Sequence, residues 1–117
     1  MADFSTTIEN KGDVSVINLK GYLDAHTAQI LENNFVELID KNRFKIVVDF
    51  KNLAYISSAG LGVFMAFIEK VRESNGDIKL ASMNEKIYNI FDLLGFPLLY
   101  EIFQSEEQAV TKFLENK

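Results

Sequence analysis

The chain has no cysteine, and that absence removes disulfides, thiolate metal sites and cysteine nucleophiles together. It has one histidine, so a Ser-His-Asp site could be assembled only from Ser57 or Ser58 with His26 and either Asp24 or Asp49. No Gly-x-Ser-x-Gly elbow accompanies those serines, and no catalytic residues are expected. A metal would have to rely on carboxylates, but Asp24, Asp49, Glu69 and Asp92 are scattered without ligand spacing. The pair Gly60-Leu61-Gly62 lacks the third glycine of a dinucleotide fingerprint, and no Gly-Lys-Ser/Thr follows it, so no cofactor is expected.

Positive charge is also in short supply. Twelve Lys and Arg stand against 17 Asp and Glu, giving a net charge of -5 and a pI near 4.8. That balance argues against phosphate-neutralising contact with nucleic acid and against an anionic membrane surface, while leaving a basic partner open. No apolar run is long enough to span a bilayer, and Met1-Ala2-Asp3-Phe4 lacks the basic and apolar segments of a signal peptide. A cytoplasmic location is expected.

The 117 residues suffice for one domain, taken as residues 1-117, with 48% hydrophobic and 25% charged residues as in ordinary globular proteins. Phe4–Glu9 and Val14–Leu19 read as β-strands joined by the tight-turn sequence Asn10-Lys11-Gly12-Asp13. A helix is expected from about Ala25 to Asp40, capped by Asp24, with Ala28, Leu31, Phe35, Leu38 and Ile39 inward. Lys45–Phe50 is too uniformly apolar for a one-sided strand and suits a central strand covered on both faces. After a second helix ending near Ser74, the pattern gives a strand at Ile78–Ala81 and a helix carrying Ile87, Ile90, Phe91 and Leu94, with Ser82 and Glu85 as its capping box. A short strand at Leu99–Phe103 and a last helix capped at Ser105, with Val110, Phe113 and Leu114 inward, complete the chain. Strands alternating with helices after a hairpin specify an α/β domain: a mixed sheet of about five strands with about four helices packed on it.

The organising stretch runs from Val47 to Ile68, beginning as a buried strand and ending as a helix, with Ser57 and Ser58 at the turn between them. Backbone N–H groups at a helix start have no intrahelical partners, so a serine there can cap the helix, and a phosphoserine would be held by the same groups and by the helix dipole. Leu61, Phe64, Met65 and Ile68 form a core-facing stripe, while Val63, Ala66 and Phe67 extend the apolar surface around the cylinder. Either a neighbouring part of this chain or another protein should cover that surplus. Asp49 is placed at the carboxyl end of its strand, beside the serine turn, where sites gather in open α/β sheets.

Four segments together resemble the STAS domain: Gly21-x-Leu23-Asp24, Val47-Val48-Asp49-Phe50, Ile56-Ser57-Ser58-Ala59-Gly60-Leu61-Gly62-Val63 and Leu94-Gly95-Phe96. Within that superfamily, nearly the whole chain is similar to the stand-alone anti-sigma factor antagonists of bacteria. The resemblance implies a phosphorylation switch. The unphosphorylated protein binds an anti-sigma factor serine kinase and frees the sigma factor; the kinase inactivates it by phosphorylating one serine, and a serine phosphatase restores it. The phosphorylated serine of the family falls on Ser58, and Ser57, where many members have aspartate, is a second candidate acceptor. The implied partner-binding set is Asp24 and Asp49, the turn residues Ser57, Ala59, Gly60, Leu61 and Gly62, and the apolar face of Val63, Phe64 and Phe67. The resemblance leaves open a STAS partner-switching module of another pathway and a constitutive STAS subunit of a transport complex. The free protein is expected to be monomeric.

Overall fold

The computed structural model describes residues 3–115 and contains five strands and four α-helices. They are β1 (Phe4–Lys11), β2 (Val14–Leu23), α1 (Ala28–Asp40), β3 (Lys45–Ile56), α2 (Ser58–Glu73), β4 (Asp77–Ala81), α3 (Glu85–Leu93), β5 (Ile102–Phe103) and α4 (Glu106–Glu115). The strands lie side by side in chain order; β1 is antiparallel to β2, and every later pairing is parallel. This is the mixed sheet that the hairpin and the β-α alternation called for. The hairpin closes between Lys11 and Val14, with Gly12 at φ 63°, a left-handed conformation that glycine adopts without steric cost.

β3 is covered on both faces. Ile46, Val48 and Phe50 point into a core roofed by α1, α2 and α3, while Val47 faces a smaller cluster of Val14, Val16, Ala81, Ala109 and Phe113 under α4. The larger core is aromatic at its centre. The Phe64 ring lies 5.6 Å from Phe50, 6.0 Å from Phe35, 6.1 Å from Phe91 and 6.5 Å from Tyr100, mostly edge to face. Tyr100 also donates its hydroxyl to the Phe64 carbonyl at 2.6 Å, and burial pushes that phenol well above the usual tyrosine range.

Several boundaries differ from the sequence-based expectation. β3 continues six residues beyond Phe50, because Leu53 and Ile56 go on burying one face after the two-sided apolar run has ended. α1 starts at Ala28 rather than near Ala25, since Asp24 forms a turn instead of a cap. Asn84, not Ser82, caps α3 by accepting the Ile87 N–H at 2.8 Å; Ser82 sits at φ 65° with its own N–H bonded to Phe103. Of the expected last strand, Leu99–Phe103, only Ile102–Phe103 is extended, because a 3-10 helix at Phe96–Leu98 precedes it and the Leu99 and Tyr100 N–H groups bond back to the Phe96 carbonyl. Leu94 and Leu114 are exposed rather than inward. The cap at Ser105 forms as expected: it accepts the Gln108 N–H at 3.2 Å, and the Gln108 side chain reaches back to Gln104.

Because Phe64 touches four aromatic rings at no solvent exposure, Phe64→Ala should destabilise the domain by about 3–5 kcal/mol. Urea denaturation of the two proteins measures the difference.

Candidate functional site

The serine turn forms where β2 and β3 end together. Leu23 pairs with Ile56, and the Ser57 N–H donates to the Leu23 carbonyl at 2.9 Å, which locks the start of α2 to the sheet. Gly60 fits against that junction because it has no side chain: a Cβ there would lie 2.7 Å from Leu23 Cγ and 3.0 Å from Ile56 Cγ1. The first intrahelical bond runs from the Leu61 N–H to the Ser57 carbonyl, so the N–H groups of Ser58, Ala59 and Gly60 come before it. Ser57 is the N-cap by backbone geometry, yet its side chain makes no capping bond, and the first turn carries no acidic residue. The positive end of a sixteen-residue helix is therefore neither capped by a side chain nor neutralised.

The two serines differ in access. Ser58, the first helical residue, is exposed, whereas the Ser57 hydroxyl is buried and has no hydrogen-bond partner. With no bond to a base, the Ser57 hydroxyl lacks the feature that activates a nucleophile. The exposed His26 has its backbone N–H, at 2.9 Å, on the Asp24 carboxylate. Asp24 lies next to Leu23 at the same sheet edge, where its carboxylate also accepts the Thr27 hydroxyl at 3.3 Å and its carbonyl accepts the Ala28 N–H. It shapes the turn beside the serines rather than capping α1.

Asp49 lies elsewhere. It is seven positions before Ile56, in the middle of β3 between Asn18 and Ala81, roughly 20 Å along the strand from the serine turn. Its side chain lines a cavity with Ser82, Ser105 and Glu106 under α4, so the expected juxtaposition of Asp49 with the serine turn is overturned. The expected docking face is also revised. Gly60, Leu61, Val63 and Phe64 are buried, and half-buried Phe67 stacks on Phe35 at 5.2 Å, because α2 is wedged between the sheet and α1. The part of this chain that covers the apolar surplus is thus the sheet and α1.

What stays exposed beside Ser58 is Gly62, Met65 and Glu69, which share its face of α2 at helical spacing. On the far side of the junction, Tyr22 and Tyr55 pair across β2 and β3 with ring centroids 6.0 Å apart, each 45% exposed. Neither tyrosine nor Met65 as a surface residue was read from the sequence. No period-two signal marked them, because register shifts against β2 break the alternation of β3, which buries Leu53 and Ile56 three residues apart and leaves Tyr55 exposed between them. Among the described residues, no group of three or more His, Asp or Glu side chains is placed to hold a metal ion, and no helix is long and apolar enough to cross a membrane.

The STAS domain matches residues 5–109. The chain belongs to the STAS domain family. Among curated relatives of this STAS protein, the anti-sigma-B factor antagonist of Bacillus subtilis strain 168 is 28% identical over 102 residues, covering 87% of this chain and 92% of its own. The anti-sigma F factor antagonist of Paenibacillus polymyxa is 26% identical over 106 residues, covering 90% and 91%. Solved structures share the fold: an anti-sigma factor antagonist from Mycobacterium paratuberculosis superposes with a TM-score of 0.86 at 22% identity, covering 94% of this chain and 93% of that one. The anti-sigma factor antagonist SpoIIAA in its unphosphorylated form gives 0.76 at 16% identity, covering 97% and 100%.

The geometry at the two helix starts makes opposite demands on their N-cap side chains. Asn84→Ala removes a formed cap and should cost about 1 kcal/mol. Ser57→Ala removes a buried hydroxyl that caps nothing, so its effect should stay within about 0.5 kcal/mol of zero or be stabilising. Thermal and urea unfolding of the two variants check the contrast.

Proposed function

We propose that this STAS protein is a cytoplasmic anti-sigma factor antagonist. In this reading its unphosphorylated form binds an anti-sigma factor serine kinase, phosphorylation of Ser58 ends that binding, and a serine phosphatase reverses it. The observation that carries the proposal is the exposed Ser58 hydroxyl on the first residue of an uncapped helix with no acid in its first turn. The names of the relatives, both anti-sigma factor antagonists, support the same reading. Ser58 is preferred over Ser57 as the acceptor because the Ser57 hydroxyl is buried.

The switch would act locally. A phosphate on Ser58 brings about -1.5 to -2 charges onto a surface that a hydroxyl-fitting partner must desolvate, while the unpaired N–H groups at the start of α2 accommodate it without unfolding. Gly62 supports a docking role for this face. A Cβ at Gly62 would meet no atom within 4 Å, so the fold itself does not need glycine there. An exposed helical glycine nonetheless costs roughly 0.5–1 kcal/mol relative to alanine, and close approach by a partner accounts for its place one turn from Ser58.

The test uses the unaltered chain, Ser58→Ala and Ser58→Asp as baits in host lysate, with radiolabelled ATP followed in parallel. The first two baits should capture a serine kinase of the anti-sigma type, and Ser58→Asp should bind it about a hundredfold more weakly, a loss of about 2.7 kcal/mol. Label should be absent from Ser58→Ala. Label that persists in that variant on Ser57 would overturn the Ser58 assignment. Equal capture of the same partners by all three baits would point to a constitutive subunit instead. Gly62→Ala should stabilise the free domain by roughly 0.5–1 kcal/mol while weakening kinase capture, a combination that a purely structural glycine does not produce.

A further inference from the structure

α4 is the only helix on the second face of the sheet among the described residues, and its first turn rests on a buried acid. Asp49 is 7% exposed and accepts the Lys51 N–H at 2.8 Å. Opposite it stands Glu106, the first residue of α4, and the two carboxyls line a cavity of about 290 Å³ with Lys51, Ser82, Ser105 and Glu107. The two carboxyls share this one cavity, and a hydrogen bond between them raises Asp49 and lowers Glu106. Ionised carboxylates only accept, so a bond between them requires that one keep its proton.

The surroundings decide which one. From β1, Lys11 donates its ammonium to Glu106, and Glu9 and Glu107 lie near that ammonium. Asp49 has Asn18 beside it on β2, the Lys51 N–H on its own strand and the Ser82 hydroxyl beyond β4; Lys51 lines the same cavity, but among the described residues Asp49 forms no salt bridge. Glu106 is therefore the member that favours its ionised form, and Asp49 the one whose proton is held more tightly than an ordinary carboxyl holds it.

We propose that the Asp49–Glu106 pair is a pH-responsive latch: it holds the first turn of α4 on the sheet while the pair keeps one proton, and it loosens that turn when the proton leaves. Two ionised carboxylates at hydrogen-bond distance repel in a poorly hydrated seam. The far end of the helix remains anchored by the buried Phe113 ring, over which the Lys79 ammonium lies 4.6 Å from the centroid. Opening at the first turn uncovers part of the Val14, Val16, Val47 and Ala81 cluster.

The titration directions set the sense of the response. Burial pushes Asp49 up, outweighing the Lys51 N–H, with Glu106 adding to the rise. Burial also pushes Glu106 upward, but the hydrogen bonds from Lys11 and Asp49 outweigh it and hold Glu106 below the usual range. The contribution of Asp49 to docking is thus complete below the ordinary aspartate range and is lost as pH rises through its raised value. That of Glu106 is present above the ordinary glutamate range and is lost as pH falls through its lowered value. Docking is tightest in the acidic interval between the two and weakens toward neutral pH.

The experiment is native-state hydrogen exchange from about pH 4 to about pH 8, corrected for intrinsic exchange and referenced to Val48 and Phe64, with the Asp49 carboxyl carbon followed by NMR. In the unaltered chain, protection at Ala109 and Val110 should fall as pH rises through the Asp49 titration, by about tenfold for each unit that Asp49 titrates above the ordinary value, while Phe113 at the anchored end stays protected. Asp49→Asn, whose amide donates where the proton did, should make α4 protection insensitive to rising pH. Glu106→Gln carries the same expectation, because its amide donates to ionised Asp49, and it keeps the test open if Asp49→Asn does not fold. An Asp49 carboxyl titrating in the ordinary range, or α4 protection that follows the same pH profile in all folded proteins, would overturn the latch.

Discussion

A parallel strand that is apolar on both faces has to be covered twice, and β3 imposes that requirement on the whole domain. Ile46, Val48 and Phe50 draw α1, α2 and α3 onto one face; Val47 draws α4 onto the other. The two coverings are unequal. The first is a large core interlocked through Phe64, whereas the second rests on two small or aromatic side chains, Ala109 and Phe113, plus contacts between charged groups at the helix start. Such a division leaves the scaffold of the serine turn rigid and concentrates the adjustable contacts under α4.

The serine turn inherits its position from that scaffold. The Ser57 N–H on the Leu23 carbonyl and the bare Gly60 against Leu23 and Ile56 fix the start of α2, so a charge added at Ser58 meets a surface that is already set. Tyr22 and Tyr55 flank it on one side and Met65 on the other. A fixed platform of this kind suits a signal read by contact rather than by refolding.

Much of the architecture was legible because the local signals agreed with one another. Gly12 in a two-residue hairpin loop, the capping box at Ser105 and the uniformly apolar Lys45–Phe50 run each had a single good structural solution. Where two solutions existed, long-range packing chose between them. Lys51, Asn52, Ala54 and Tyr55 are exposed in the second half of β3, which buries only Leu53 and Ile56, so the change from two-sided to one-sided burial looked like a strand end and carried Asp49 to the wrong place. The serine motif marked the turn at the start of α2, but periodicity could not tell a solvent-facing stripe on α2 from one facing α1. Val63 and Phe64 were therefore assigned to a surface that Gly62 and Met65 occupy. Asp24 is a similar case: its side chain can bond forward to a helix or within its own turn, and the choice depends on where Thr27 falls.

The ladder between β2 and β3 has a bearing on how the chain reaches this state. Val14 pairs with Lys45 and Leu23 with Ile56, so each rung joins residues roughly thirty positions apart with the whole of α1 looped between them. The β1–β2 hairpin, by contrast, closes over two residues. Loop-closure entropy has to be met before the distant pairing returns any burial. The hairpin can therefore zip on the microsecond scale typical of such units, but the junction on which Ser57 is anchored comes into being only when β3 arrives, making the serine-turn end of the molecule a late product of folding.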